Sequence, residues 1–221
     1  MSGKLIVFEG TDGSGKATQA RLLCRRLERE GIPYKEITFP RYGKPSAAMV
    51  QEYLDGNLGK RPGDVNAYAA SLFFSMDRYA SYKQDWGGFY ESGGLIVADR
   101  YTTSNAVHQA SKLPEGERKA YLDWLFDLEY RLLGLPKPDL VLYLDMPTEV
   151  TERMMRGREA ATGTHADIHE QDGAYLKSCR DSGREIAEDC GWHVIACAAG
   201  DRPRTPEDIH EQVFQTVKKL L

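Results

Sequence analysis

Short apolar runs alternate with stretches of helical periodicity along the chain. The runs lie at residues 5–8, 95–98, 140–144 and 193–196, and the more polar segment 34–39 is a candidate for a fifth. Because the runs are continuously apolar, they are typical of strands covered on both faces, as when crossover helices flank a parallel sheet. The pattern therefore predicts an α/β fold of three layers, in which helices cover a five-stranded parallel sheet.

Two segments have the spacing of core-facing helices. In the first, the apolar positions are Ala20, Leu23, Cys24 and Leu27. In the second, which follows the start signal Thr205-Pro206-Glu207, they are Ile209, Val213, Val217 and Leu220. The polar stretch 157–167 has no such period, and it predicts a mobile loop within a lid at about residues 153–167.

Composition limits the classes of partner. The 221 residues, 41% of them hydrophobic, fit one domain spanning residues 1–221. The net charge is -4 and the 29 Lys and Arg residues form no run, which argues against a nucleic-acid or membrane partner. The four cysteines lack zinc-ligand spacing and predict thiols in a reducing compartment. No stretch approaches the roughly 20 apolar residues of a membrane span, so we expect a cytoplasmic protein.

A glycine-rich turn follows the first apolar run and precedes the first helical segment. Its residues, all predicted to bind ATP, are Gly10, Thr11, Asp12, Gly13, Ser14, Gly15, Lys16, Ala17 and Thr18. Glycines let several backbone N–H groups converge on phosphates, and the helix behind them adds the positive end of its dipole. Lys16 would reach the β and γ phosphates. The alternative is a strand-to-helix turn that binds no ligand.

The sequence specifies the metal ligands less clearly than it specifies the phosphate loop. Ala17 replaces the hydroxyl residue that usually binds Mg²⁺ at the end of this motif, and Thr18 is a substitute one residue later. Mg²⁺ keeps several waters and uses few protein ligands. We therefore expect Mg²⁺ to bind with ATP through phosphate oxygens, water and a carboxylate, either Asp99 or Asp12.

A phosphate-binding loop alone does not separate kinases from switches or motors. Here four further blocks follow the loop in order: Phe39-Pro40-Arg41-Tyr42, Phe74-Ser75-Met76-Asp77-Arg78, Asp99-Arg100-Tyr101 with Ser104-Asn105, and Gly134-Leu135-Pro136-Lys137-Pro138-Asp139-Leu140. Over nearly its whole length the chain resembles the thymidylate kinases. The resemblance implies transfer of the γ-phosphoryl group of ATP to dTMP, a P-loop sheet with strand order 2-3-1-4-5, and a homodimer.

The resemblance also implies roles for residues of the acceptor site. Asp12 would accept a hydrogen bond from the 3′-hydroxyl of dTMP. Arg100 follows a strand at the sheet edge where open α/β folds bind ligands, and it would clamp the acceptor phosphate. Arg41 and Tyr42 would bind the same phosphate. The remaining residues implied to line this site are Phe39, Ser104, Asn105 and His108.

Phe74 and Arg78 are four residues apart on a predicted helix and share one face, so the ring could stack on a base while the guanidinium donates to a base carbonyl. Each of these charged and aromatic side chains could instead have a purely structural role. Phe74 could belong to a core group with Leu72, Phe73 and Met76. Arg78 could be a surface charge that pairs with Asp77 or with a neighbouring helix, and Asp99-Arg100 could be a buried structural ion pair.

His108 stands where the thymidylate kinases usually have a tyrosine beside the sugar, which leaves the choice between deoxyribose and ribose open. Its alternative is a helix histidine bonded to Gln109 or to the backbone. Similarly, His169 stands where a tyrosine is usual, between Asp167 and Glu170, which correspond to positions near the acceptor.

Phosphoryl transfer needs alignment and neutralisation of charge more than acid–base chemistry. The predicted catalytic residues are therefore cations: Lys16, Arg100, Arg156 and Arg158. The two lid arginines are included because Gly13 follows Asp12 in the loop, as in thymidylate kinases that supply the catalytic arginine from the lid. A solvated basic helix end is the alternative for this segment.

Two other functions stay open. One is a kinase for another deoxynucleoside monophosphate or for a deoxynucleoside, in which Glu36 would be the carboxylate that activates a 5′-hydroxyl. The other is an ATP-dependent switch or binding protein without a small acceptor. Phe74, Arg78 and Arg100 argue against a switch, because a switch needs no stacking platform for a second base.

Overall fold

The central sheet has five parallel strands in the order β2-β3-β1-β4-β5. The computed structural model of the protein describes residues 2–162, 167–169 and 172–221, and residues 156–162 by their backbone alone. The strands are β1 (Lys4–Glu9), β2 (Tyr34–Thr38), β3 (Leu95–Asp99), β4 (Leu140–Asp145) and β5 (His193–Ala196). The predicted strands and their order are confirmed.

Helices cover both faces of this sheet. The described α-helices are α1 (Lys16–Arg29), α2 (Ala48–Leu54), α3 (Ala67–Ser81), α4 (Gly87–Glu91), α5 (Thr102–Ala110), α6 (Glu115–Phe126), α7 (Thr148–Thr162), α8 (Gly173–Asp189) and α9 (Pro206–Val217). π-Helical segments follow α3 at Tyr82–Trp86 and α6 at Asp127–Leu132, and 3-10 turns lie at Pro45–Ala47 and Pro62–Asp64. A hairpin of β6 (Ala198–Ala199) and β7 (Arg202–Pro203) precedes α9.

β1 separates two apolar cores. Ile6 and Phe8 face the core formed with α1 and α9, whereas Leu5 and Val7 face a core rich in aromatic side chains. Alternate residues of a strand point to opposite faces, so an uninterrupted apolar run is what a doubly covered strand requires. The predicted helices α1 and α9 are confirmed, and the side chain of Thr205 caps the start of α9.

The prediction of a loop across residues 157–167 is wrong for its first half, because α7 continues to Thr162. Glu159, Ala160 and Ala161 are strong helix formers, and their propensity offsets the missing apolar period. Residues 163–166 lie outside the described part of the chain. Among the described helices, none combines the length and apolar character needed to cross a membrane.

Candidate active site

The glycine-rich loop joins β1 to α1 at the carboxyl edge of the sheet. Gly13 and Gly15 have φ of 80° and 94°, in the left-handed region that strains other residues. At Gly10 a Cβ atom would lie 2.7 Å from the carbonyl oxygen of Leu144, too close for any side chain. The loop therefore presents its backbone toward the space above the sheet, as binding of phosphates requires.

Lys16 is the first residue of α1, and its side chain folds back over the loop. Its Nζ donates to the carbonyl oxygens of Gly10 at 2.7 Å and of Thr11 at 2.8 Å. Burial lowers the pKa of this ammonium, and the nearby charge of Arg100 lowers it further. The ammonium group is thus held by neutral carbonyl groups, which a phosphate oxygen can replace as partners.

A cavity of about 430 Å³ lies above the loop, a size typical of small-molecule sites. Its lining residues come from the loop, from α1, from the end of β3 and from α7: Asp12, Gly13, Gly15, Lys16, Ala17, Thr18, Arg21, Asp99, Arg100, Met154 and Met155. The predicted ATP loop and the predicted acceptor arginine therefore face one shared space. Arg21 was missed by the sequence predictions, although its position four residues after Ala17 on a helix puts both on one face.

Arg100 begins the turn that follows β3. It has φ of 69°, a conformation that costs a residue with a side chain roughly 1–3 kcal/mol, and its backbone N–H donates to Phe8 O at 3.1 Å. Its Nη2 forms a very short ion pair with Oδ1 of Asp12. The alternative of a structural Asp99–Arg100 pair is therefore wrong, because the left-handed turn directs the guanidinium toward the phosphate loop.

Asp12 is ionised in this arrangement. Burial alone would raise the pKa of its carboxyl group, but Arg100 and Lys16 together hold that pKa well below its ordinary value. The carboxylate contributes one negative charge between two cations. An acceptor phosphate bound by Arg100 would therefore lie beside the negative charge of Asp12, which Arg100 and Lys16 already neutralise.

His108 packs directly against Arg100. Its Nε2 lies 3.3 Å from Nη1 of Arg100, and the ring is 4% exposed. Burial and the charge of Arg100 lower the pKa of His108 well below its ordinary value, so the ring is neutral. The ring of His169 lies parallel to it, with centroids 5.5 Å apart. The alternative in which His108 bonds to Gln109 is wrong, since Arg100 is the partner of its ring.

Behind His169 the polar contacts continue into α2. Nε2 of His169 lies 2.7 Å from the hydroxyl of Tyr53, and Nζ of Lys112 donates to that hydroxyl at 2.8 Å. Burial lowers the pKa of His169 to about 3 and that of Lys112 to about 7. No local signal identified Tyr53 or Lys112, because each reaches this cluster through a contact between residues far apart in the sequence.

The predicted phosphate ligands Arg41 and Tyr42 differ in their surroundings. Arg41 is bound to Asp77, which accepts from its Nε at 3.1 Å and from its backbone N–H at 2.8 Å. Tyr42 is exposed to solvent. Arg41 is therefore already held by a carboxylate, and binding of the acceptor phosphate by Arg41 and Tyr42 stays a prediction.

Arg78 lies in the interior and pairs with Glu129. Both side chains are almost completely buried, and Nε of Arg78 donates to Oε2 of Glu129 at 2.8 Å. Ser75 donates to the same carboxylate at 2.7 Å. The alternative of a surface charge is wrong because Arg78 is buried, and its partner lies on a neighbouring helical segment rather than at Asp77, which binds Arg41. Contact of Arg78 with a base carbonyl stays a prediction, and the guanidinium is fixed in place by Glu129.

Phe74 is half-buried, with its ring edge-on to that of Tyr53 at 6.2 Å. Its predicted neighbours in a core group, Leu72 and Met76, are instead exposed. Since the group is divided between the interior and the surface, the apolar run does not form one core face. Stacking of the Phe74 ring on a base stays a prediction.

Three residues predicted to line the acceptor site differ in their surroundings. Phe39 lies in the aromatic core, and Asn105 is buried and donates to Ser71 O at 3.2 Å. The hydroxyl of Ser104 donates to Glu9 at 2.7 Å and lies 3.5 Å from Nη1 of Arg100. Two of the three contact residues that line the cavity: Ser104 contacts Arg100 through its side chain, and the backbone N–H of Phe39 donates to Asp99 O at 3.1 Å.

Helix α7 covers the phosphate loop. A Cβ atom at Gly13 would lie 3.0 Å from Cγ of Met155 and 3.1 Å from Cβ of Thr151. Arg153 donates to the carbonyl oxygen of Asp201 at 2.6 Å and so joins α7 to the β6–β7 hairpin. The side chains of Arg156 and Arg158 lie outside the described part of the structure, and their catalytic role stays a prediction.

Asp99 meets the requirements for a Mg²⁺ ligand better than Asp12. Its Oδ1 is buried at the cavity and has no hydrogen-bond partner among the described residues. The Asp12 carboxylate is already bound to Arg100. The described residues include no cluster of three acidic, histidine or cysteine side chains that could hold a metal. These residues fit an ion bound by one carboxylate, water and phosphate oxygens.

Glu36 does not lie at this site. It is exposed on β2 and its side chain hydrogen-bonds the thiol of Cys24. It is also absent from the residues that line the cavity. This position does not suit activation of a 5′-hydroxyl.

Comparison with known proteins agrees with this geometry. A family model described as thymidylate kinase matches residues 8–211. Thymidylate kinase of Mycobacterium tuberculosis is 34% identical over 170 residues, covering 76% of this chain and 78% of the relative. That of Afipia carboxidovorans is 32% identical over 221 residues, covering 99% and 90%. The solved structure of thymidylate kinase from Candida albicans shares the fold, with a TM-score of 0.71 and 23% identity over 99% of this chain and 92% of that one. The chain belongs to the thymidylate kinase family.

Proposed function

We propose that this protein transfers the γ-phosphoryl group of ATP to dTMP, giving dTDP and ADP. The observation that carries the proposal is the shared cavity, in which Lys16 of the phosphate loop and Arg100 of the acceptor side face the same space. Two phosphates bound there would be close enough for direct transfer. The identity of the acceptor as dTMP is supported by membership of the family, whose members are phosphotransferases.

The chemistry asked of the chain is alignment and neutralisation of charge. Lys16 would release its carbonyl partners and bind oxygens of the β and γ phosphates. Arg100 would hold the acceptor phosphate through donors that Asp12 does not use, and Tyr42 would approach the same phosphate. Arg156 and Arg158 of the lid are candidates for the further positive charge that stabilises the transferring group.

Mg²⁺ would accompany ATP and neutralise part of the phosphate charge. Asp99 would hold it through the carboxylate oxygen that is buried at the cavity. Ala17 has no hydroxyl to contribute, so the protein would supply few ligands. Lys16 and Arg100 would orient the two phosphates whichever water molecules complete the metal shell.

We also propose that the protein forms a homodimer through α3. Tyr68, Leu72 and Met76 follow each other at four-residue spacing on this helix and are 40%, 41% and 44% exposed. Such spacing forms a continuous apolar stripe on one helix face, which a second copy could cover. Sedimentation of wild type and of Leu72→Lys would test this, since a dimer should give way to a monomer. We further propose that residues 1–221 form a single domain and that the protein is located in the cytoplasm.

The deciding experiment is coupled measurement of ADP release with ATP and Mg²⁺ in the presence of dTMP, dUMP, dCMP, dGMP or no acceptor. We expect dTMP to dominate, and we expect turnover to be lost in Arg100→Ala. Arg131→Ala is the matched control, because Arg131 pairs with Asp127 on the exposed surface. ADP release that does not depend on an acceptor, or a preference for a purine acceptor, would contradict the proposal.

A further inference from the structure

One buried carboxylate lies between the phosphate loop and α5. Glu9 is the last residue of β1 and directly precedes the loop, and its side chain is fully buried. Its Oε1 accepts from the backbone N–H of Gly10 at 2.9 Å. Its Oε2 accepts from the hydroxyls of Thr103 at 2.6 Å and of Ser104 at 2.7 Å. The two oxygens of Glu9 therefore bind two different parts of the site.

Each of these parts leads to a group proposed to bind phosphate. On one side, Gly10 opens the loop that continues to Lys16. On the other, Ser104 lies in the first turn of α5, and its hydroxyl is 3.5 Å from Nη1 of Arg100. Because that hydroxyl donates to Glu9, its lone pairs are left to accept from the guanidinium, which can only donate. Glu9 thus connects the phosphate loop to the acceptor arginine.

A second connection between the two sides shares its atoms with the substrates. The ion pair of Asp12 with Arg100 also joins the loop to the acceptor side, but both residues are proposed to bind the acceptor. Glu9, in contrast, is absent from the residues that line the cavity. Since bound nucleotides would not reach Glu9, its hydrogen bonds would persist through the reaction. Buried, fully bonded groups of this kind hold the residues that contact a substrate in a fixed arrangement.

We propose that Glu9 is a positioning residue for phosphoryl transfer, which sets the spacing between the phosphate loop and Arg100 and so aligns the γ phosphate of ATP with the acceptor phosphate. The inference rests on the proposed function, because it concerns the same two bound phosphates. Transfer depends steeply on alignment, and a displacement of about 1 Å can lower the rate about 10²-fold. Binding of either nucleotide alone needs only its own side of the site. Loss of the connection should therefore slow transfer and leave each binding step nearly unchanged.

The test breaks the α5 side of this connection in two ways. Thr103→Val removes one hydroxyl and keeps the shape of the side chain. Glu9→Gln keeps the size of the side chain, but its single carbonyl oxygen cannot accept on both sides. Thr102→Val is the matched control. Thr102 precedes Thr103 on α5 and is equally buried, and its hydroxyl donates to a different buried carboxylate, that of Glu129, at 2.5 Å.

The rate constant of a single turnover is measured with saturating ATP and Mg²⁺ and with enzyme in excess over dTMP, so that product release and the folded fraction of a variant do not affect it. Calorimetry gives the Kd of ATP and of dTMP separately, and urea unfolding gives the stability. We expect the rate constant to fall about tenfold or more in Thr103→Val and in Glu9→Gln, with each Kd changed less than about threefold. Thr102→Val should lose as much stability as Thr103→Val and keep its rate constant within about threefold of that of the wild type.

Three results would overturn the inference alone. One is an equal loss of rate in Thr102→Val and Thr103→Val, because the contacts of Glu9 would then be only structural. Another is a rate constant in Glu9→Gln within about threefold of that of the wild type. The third is a loss that appears in the Kd of dTMP instead of the rate constant, because Glu9 would then shape only the acceptor side. Failure of the wild type to phosphorylate dTMP would overturn the proposed function and the inference with it.

Discussion

The two ends of the cavity are built in contrasting ways. The proposed phosphate end comes from one uninterrupted stretch of sequence, in which glycine backbone and one ammonium group would bind the phosphates. At the proposed acceptor end Arg100, which follows β3, lines the cavity, and behind it lie His108 of α5, His169 and Tyr53 of α2. The phosphate end depends on the absence of side chains at its glycines. The acceptor end depends on ion pairs, hydrogen bonds and ring contacts among several buried side chains.

This difference predicts different responses to substitution. Changes at the phosphate end should reduce catalysis and leave stability nearly intact, because few packed side chains are involved. Changes at the acceptor end should alter stability and substrate choice together, since each residue there is also a partner of another. The four substitutions below test this contrast.

Lys16→Ala should have the largest effect on catalysis. Loss of the ammonium group that faces the phosphates should lower kcat by roughly 10² to 10³. Arg21→Ala is the matched control, since Arg21 lies on the same helix and lines the same cavity but is exposed. We expect less than a tenfold loss there. A Lys16→Ala enzyme with normal kcat and only a higher KM for ATP would contradict the role given to Lys16.

Arg100→Gln should lower kcat/KM for dTMP by about 10² and leave the Kd for ATP nearly unchanged. The substitution should also change how the stability of the fold depends on pH in the acid range. In the wild type the pKa of Asp12 lies below its ordinary value of 3.8, so the pair stabilises the fold above that value and the gain is lost as pH falls through the lowered pKa. Urea titrations at several pH values should show a shallower loss in the variant. An identical acid profile would show that Arg100 does not hold the Asp12 charge.

Glu129→Leu should destabilise the protein by about 3–5 kcal/mol, because it leaves the buried guanidinium of Arg78 without its counter-charge. The double variant Arg78→Met/Glu129→Leu should recover part of that loss, since it removes both charges. Urea unfolding measures both values. A loss below about 1 kcal/mol in the single variant would show that solvent reaches the pair.

Lys112→Met should change how stability depends on pH. In the folded protein the pKa of Lys112 is about 7, below its ordinary value of 10.5, so the unfolded chain binds more protons between these values. Stability of the wild type should therefore rise as pH increases from about 7 toward 10.5, and this rise should be smaller in the variant. Melting temperatures across this range provide the measurement. Parallel curves for the two proteins would contradict the assignment.

Features encoded locally were predictable from the sequence. The apolar runs located the strands of the sheet, and the spacing of Gly10, Gly15 and Lys16 located the phosphate loop, because both depend on neighbours along the chain. The partners of Arg78 and His169 were not predictable. Glu129 and Tyr53 are far from them in sequence, and each of these contacts exists only after helices have packed.

Two of the structural alternatives fail for the same reason. A pair of Asp99 with Arg100 and a pair of Arg78 with Asp77 would each have joined neighbours in the sequence, whereas the folded chain joins each arginine to a distant carboxylate. Adjacent residues on a helix or at a strand end point in different directions, so proximity in sequence is a poor guide to ion pairs. The left-handed backbone of Arg100 is a further feature that no residue pattern indicated.

The close approach of α7 to the phosphate loop also constrains how this enzyme can evolve. Because a Cβ atom at Gly13 would meet both Thr151 and Met155, a larger residue in the loop requires smaller ones on α7. Substitutions at these positions should therefore occur together among related proteins, even though they lie far apart in the gene. The phosphate loop and α7 would therefore change together. In a chimera that exchanged only one of them, α7 would be expected to pack poorly against the loop.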